Sequence, residues 1–299
     1  MKRFARIALW SLAVLALGLG CHLYYLSTLA AVETYPEDDH LLREPNRSAL
    51  VIVAHDDDMV GTSGTLSMLC DNGWRVREMC FYQQGGLYFK KDSAKNPVRK
   101  LCLQHVADIQ GFAGVDPVDL NYRKDMMLEE PYMPIPVASF ADEFLVGPLE
   151  ERIGRYIEEH RPSVIFTLDD SIGGYGNPEH VLVSKLVLAY CRSHKNDPDF
   201  PVKRIYQPVF PASLAGNIMG GLEVYQRAKE VYGCTGMPAP DVQVNIVPFA
   251  SRKKAAMTAY TTEQNSLRKF WPYYHWYPAA IYFRIFDRDF FRVIDLESR

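Results

Sequence analysis

Two spacings of apolar residues alternate along this chain. Short apolar runs read as strands at Ala49 to Ala54 and, β-branched, at Val164 to Leu168, Val76 to Tyr82 reads as another strand, and a further one is expected at Val242 to Val247. Between them, apolar residues recur every three or four positions. Helices are therefore expected around Thr65 to Cys70, ending at Asn72-Gly73, at Val98 to Phe112, at Phe144 to His160, at Val181 to Tyr190 and at Ser251 to Leu267. Gln83 to Gly86 reads as a turn and Gly111 to Pro117 as a loop. Near the carboxyl end, Ile281, Phe283 and Ile285 alternate like a half-buried strand. Strand and helix in alternation predict an α/β fold, Rossmann-like and doubly wound around a mostly parallel sheet.

A different pattern opens the chain. Lys2, Arg3 and Arg6 precede an apolar run from Ile7 to Ala31, longer than the ~20 residues that cross a bilayer. The acidic residues Glu33, Glu37, Asp38 and Asp39 follow, and no cation appears before Arg43. This bias predicts a single-pass membrane helix with its basic end in the cytoplasm and the body on the outer, periplasmic or extracellular, side. A cleaved signal peptide is the rival reading, with Thr28-Leu29-Ala30 as the cleavage region. The expected organisation is an anchor or signal segment over 1–32, a linker over 33–46 and one domain over 47–299.

Composition narrows the function. With 299 residues, 48% of them hydrophobic, the chain is long enough to bury one full core. A formal charge of −3 offers no basic footprint for nucleic acid. Outside the leader stand five cysteines without Cys-x-x-Cys spacing, which supports neither a zinc knuckle nor a redox pair.

The candidate chemistry lies in two loops. Ala54-His55-Asp56-Asp57-Asp58 follows the first strand and packs an imidazole and three carboxylates into one turn. Gly173-Gly174-Tyr175-Gly176-Asn177-Pro178-Glu179-His180 follows the Val164 strand and precedes a helix. Both halves repeat strand, polar loop with histidine, helix. A parallel sheet brings such loops together at its carboxyl edge, where His55, Asp58 and His180 are expected to meet at one metal ion.

These residues carry a family resemblance. Ala-His-Asp-Asp-Asp resembles the Ala-His-Pro-Asp-Asp signature of the PIG-L or LmbE-like family, zinc-dependent de-N-acetylases of N-acetylglucosaminyl conjugates. The second loop resembles that family's Gly-His-Pro-Asp-His loop. Arg99 lies at the family arginine, Leu120 to Asp125 is similar to its substrate loop, and Lys253 to Gln264 is similar to its late helix. The resemblance implies Zn2+ bound by His55, Asp58 and His180, with Asp57 as general base, Tyr175 polarising the amide carbonyl, Asn177 beside the reacting group, and Arg99 and Asp125 binding substrate. Three protein ligands leave the metal an open position, the arrangement that activates water for attack on an acetamide. The implied partner is an N-acetylated amino-sugar conjugate, a glycan or glycolipid near the membrane.

The chain departs from the family pattern at Asp56 for proline, Met59 for glutamate, Asn177 for the second loop's first histidine and Cys102 for a glutamate. Asn177 donates a hydrogen bond but carries no proton. The alternative function is a metal-containing glycan-binding pseudoenzyme. A non-haem iron oxygenase shares the two-histidine, one-carboxylate set, but the strand–helix alternation argues against its β-helix. His105, His160, His194 and His275 are expected to be non-functional. The aromatics from Phe270 to Phe291 suit a sugar-stacking wall or a membrane belt, and ordinary packing is the reading preferred.

Overall fold

In a computed structural model of the protein, residues 2–84 and 93–297 are described. Gly85 and Gly86 of the expected turn lie outside them.

Among the described residues, seven strands form one sheet: β1 (Ser48–Ile52), β2 (Arg75–Tyr82), β3 (Gly114–Asp119), β4 (Val164–Phe166), β5 (Arg204–Pro208), β6 (Val242–Asn245) and β7 (Arg288–Asp295), in the order β3-β2-β1-β4-β5-β7-β6. β1 to β5 pair in parallel, and β7 runs antiparallel to both β5 and β6. The mostly parallel α/β expectation holds. Burial of every residue from Ala49 to Ile52 explains why β1 reads as an uninterrupted apolar run.

Helices cover both faces. After the amino-terminal α1 (Lys2–Leu29) come α2 (Ser63–Asp71), α3 (Asn96–Gln110), α4 (Val146–His160), α5 (Pro178–His194), α6 (Ala212–Met219), α7 (Glu223–Tyr232), α8 (Ala250–Ala259), α9 (Gln264–Phe270) and α10 (Ala279–Ile285). Leu66, Leu69, Leu103, Val106 and Met257 bring α2, α3 and α8 against one face of the sheet. Ile153, Ile157, Val183 and Val187 bring α4 and α5 against the other.

Three local expectations are corrected. Most of the expected Gly111 to Pro117 loop belongs to β3, whose Pro117 lies in register with Cys80. Proline hides this strand from pattern reading, and it is tolerated because β3 is a sheet edge. The Ser251 to Leu267 helix is two helices, broken after Ala259 where Tyr260 leaves helical geometry and points its hydroxyl at the Asp56 carbonyl. Gln264 satisfies the carbonyls of Met257 and Tyr260 at 2.8 Å each. Finally, Ile281 to Ile285 is the helix α10, with neighbouring Tyr282 and Phe283 buried together and Ile281 exposed.

The segment before β1 crosses the body rather than hanging from it. Gln243 receives the Asp38 N–H at 3.0 Å and gives its own to Pro36 at 2.9 Å, while Tyr206 donates to Asp38 at 2.9 Å. All six cysteines are unbridged.

One buried ion pair joins the sheet to the helices behind the first loop. Lys253 of α8 contacts Asp289 of β7, whose other oxygen accepts the Thr65 N–H at 3.0 Å and hydroxyl at 2.8 Å. Removing one partner strands a buried charge. Lys253→Ala is expected to lower unfolding free energy by about 3–5 kcal/mol; denaturant titration showing a loss below ~1 kcal/mol would refute the pair's structural role.

Candidate metal and active site

β1 lies between β2 and β4, so the chain leaves the sheet in opposite directions on either side of it. This is the topological switch point, where loops at the carboxyl edge diverge and leave a crevice. The His55 loop follows β1 and the Tyr175–His180 loop follows β4.

Three donor atoms converge there. His180 Nε2 stands 2.9 Å from His55 Nδ1 and 3.0 Å from Asp58 Oδ1, and His55 Nδ1 is 3.5 Å from Asp58 Oδ1. Donors on a tetrahedral ion at 2.0–2.2 Å stand roughly 3.3 Å apart. The rest of each residue is already engaged. His180 Nδ1 meets the Gly173 carbonyl at 3.0 Å, and His55 Nε2 meets Glu179 at 2.9 Å. With those outer nitrogens protonated, the inner nitrogens present lone pairs to one another, an arrangement that a cation between them relieves. Asp58 Oδ2 accepts the His55 backbone N–H at 2.8 Å, which aims Oδ1 at the histidines. The donor set fits zinc.

Local sequence explains how the second loop reaches this position. Buried Asp169 accepts the N–H groups of Ser171, Ile172 and Gly174 at 3.1, 2.8 and 2.7 Å and winds the loop back on itself. Gly173 has φ +61°, and a Cβ there would lie 2.8 Å from the His180 Cβ. Glycine is required where that carbonyl approaches the imidazole. Asn177 caps α5 by accepting the Glu179 N–H at 2.9 Å, and its amide faces the Tyr175 hydroxyl at 3.5 Å.

The expected residues divide into those brought together and one left outside. Asp57 lines the cavity beside the donors, with Tyr175, Asn177 and Arg99 on its walls. Burial pushes the Asp57 carboxyl up to about 7, against the pull of Arg99 and reinforced by Asp56, Glu263 and Asp58. Burial also raises the Tyr175 hydroxyl, with the Asp58 and Asp57 charges adding to the rise, so Tyr175 stays a neutral donor. Arg99 spends most of its guanidinium on buried Asp56, through Nε at 3.0 Å, and reaches Asp57 at 3.4 Å. Asp125 is exposed, accepts the Met127 N–H at 2.8 Å and is not among the cavity-lining residues.

Its neighbours in the expected substrate loop turn inward instead. Buried Tyr122 donates to Glu179 at 2.8 Å, and fully buried Arg123 pairs with the other Glu179 oxygen at 3.0 Å. Gln83 donates to Glu179 at 3.1 Å. Burial alone would raise Glu179, but the His55 and Arg123 contacts and the Tyr122 hydroxyl hold it at about 2. Glu179 therefore fixes the His55 tautomer. Sequence reading missed it because its partners lie 56 to 124 positions away; the available signal was an acidic residue directly before a candidate ligand.

Glu179→Gln tests that orienting role. Zinc affinity is expected to fall by about 10–100-fold while far-UV circular dichroism is retained. Wild-type affinity in the folded variant would show that His55 is held without its carboxylate.

The chain matches no curated protein in sequence. Among solved structures, a deacetylase of the teicoplanin biosynthesis pathway superposes with TM-score 0.55 at 15% identity, over 84% of this chain and 100% of that one. The N,N'-diacetylchitobiose deacetylase from Pyrococcus horikoshii gives 0.51 at 17%, over 86% and 87%. At such identities the likeness concerns the fold. The sequence profile of the PIG-L family, GlcNAc-PI de-N-acetylase, matches residues 50–191, from β1 through the second histidine loop and α5. Through that segment the chain is similar to the PIG-L family.

Proposed function

We propose that this protein is a zinc-dependent hydrolase that removes the N-acetyl group from an N-acetylglucosamine-type glycan or glycolipid at the outer side of a membrane. The observation that carries this reading is the convergence of His55, Asp58 and His180 from two loops beside Asp57. The match of residues 50–191 to the PIG-L profile supports the de-N-acetylase class.

When bound, zinc supplies Lewis acidity to the attacking water and to the amide carbonyl. The chain's own groups do the remaining work. Asp57, beside the ligand set and held by Arg99, accepts the proton of the attacking water and delivers it to the departing amine. Tyr175 donates to the oxygen that gains charge, and Asn177 holds Tyr175 in place. Arg99, locked by Asp56, fixes the Asp57 carboxylate, and its exposed edge and Glu263 face the sugar. Asn177 is occupied as the cap of α5, so its replacement of a histidine leaves the proton path to Asp57.

Two experiments separate ligands from base. His55→Ala, Asp58→Ala and His180→Ala are each expected to lose zinc and acetate release together, whereas Asp57→Asn keeps zinc and loses about 10²–10⁴-fold in turnover. Stoichiometric zinc in an alanine variant removes that residue from the ligand set. Full turnover in Asp57→Asn moves proton transfer elsewhere, and glycan binding without acetate release by the wild type replaces the enzyme with a binding protein.

Topology is tested separately. α1 carries a 26-residue apolar stretch, Phe4–Leu29, with basic residues before it and acidic ones after. A reporter active only outside the cytoplasm, fused after Arg299, is expected to be active in the membrane fraction. Activity of a cytoplasm-only reporter reverses the orientation.

A further inference from the structure

With α1 as a membrane anchor, the topology on which this inference rests, the contacts between α1 and the body set the height of the body above the bilayer. From Phe4 to Cys21 every α1 residue is exposed, and His22 is the first with partial burial. At 1.5 Å per residue those eighteen positions span ~27 Å, close to the ~30 Å hydrocarbon thickness of a bilayer. His22 consequently sits at the headgroup boundary. Its ring lies 4.7 Å from Tyr273, 5.7 Å from Trp276 and 5.6 Å from Tyr277, and it hydrogen-bonds the Tyr277 hydroxyl. Leu26, one turn on, is fully buried in the body's core. The body is therefore fixed to the helix at this level rather than tethered above it.

The surface at that level has the chemistry of a membrane interface. Trp276 is 63% exposed and Tyr25 47%. Beside them runs a groove of about 380 Å³ lined by Tyr25, Leu29, Arg268, Lys269, Tyr273 and Trp276. Exposed Arg268 and Lys269 bring two positive charges to its wall. Lys269 also lines the cavity that holds the candidate metal site, so the groove and that cavity adjoin. Amphipathic rings flanked by cations, continuous with a membrane-spanning helix, match the headgroup layer of a bilayer.

We propose that the body rests on the membrane through this face, with Trp276, Tyr273 and Tyr25 in the headgroup layer and Arg268 and Lys269 over anionic phospholipid headgroups. The cavity then opens beside the bilayer surface.

The test uses the full chain in nanodiscs of phosphatidylcholine, with or without phosphatidylglycerol. Trp10→Phe first removes the indole within the span. In that background, lipids brominated near the headgroup are expected to quench tryptophan emission, and the quenched component is expected to vanish when Trp276→Phe is added. Arg268→Glu is expected to reduce quenching about twofold in the anionic discs alone; equal quenching in both disc types overturns the charge component. Trp276 emission that ignores brominated lipid but yields to aqueous iodide overturns the docking, as does protection of Trp276 by a soluble N-acetylglucosamine oligomer in place of lipid. Resistance to alkaline carbonate extraction reads the anchor independently: retention with Trp276 in water defeats docking alone, whereas extraction defeats docking and anchor together. Neither readout depends on deacetylation.

Discussion

The pairing of β1 with β4 is the constraint on which the site depends. Ala49, Leu50 and Val51 lie in parallel register with Val164, Ile165 and Phe166, all of them buried. That register sends both strands' carboxyl ends to the same height at the sheet's switch point. Residues more than a hundred positions apart thereby come within hydrogen-bonding distance. A slip by one residue would exchange the side chains that β4 gives to the two buried faces and separate His180 from His55 and Asp58.

Around that junction, four carboxylates within a small volume are kept distinct by their partners. Asp56 is paired with Arg99 and accepts from the Tyr82 hydroxyl at 2.9 Å. Asp58 is drawn well below the usual carboxylate range, because the two histidines outweigh its burial. Glu179 is held down by His55, Arg123 and Tyr122. Asp57 meets the distant edge of Arg99 and is raised by burial and by its acidic neighbours. One ordinary carboxyl chemistry thus yields structural anions, a candidate ligand and a group that exchanges protons near neutrality.

The departures from the family pattern acquire physical roles in this setting. Asp56, where the family has proline, becomes the buried counter-ion that immobilises Arg99 next to Asp57. Asn177, in place of a histidine, satisfies the first turn of α5 and so positions Glu179 and His180 together. The aromatic carboxyl-terminal stretch serves two surfaces. Tyr274, Tyr277, Tyr282 and Phe283 fill the core, as ordinary packing requires, while Trp276 remains exposed beside α1.

Sequence alone determined the parts whose cause is local. Apolar runs marked β1 and β4, strands buried on both faces, and the apolar end of β2 from Met79 to Tyr82 marked that strand despite Arg77 and buried Glu78, while the two histidine loops were visible since their residues are contiguous. Elements lacking a periodic signature were not legible: β3 carries a proline and no fully buried position, and β5 is recognisable only through pairing with β4 and β7. The break at Tyr260 was hidden for a related reason, being set by a hydrogen bond to the distant Asp56 carbonyl. The same holds at the site. His55, Asp58 and His180 could be picked out as residue types, but the placing of Glu179 against His55 was decided by tertiary structure, because an orienting contact depends on which side chains the sheet brings into one buried space, and no spacing along the chain encodes that distance.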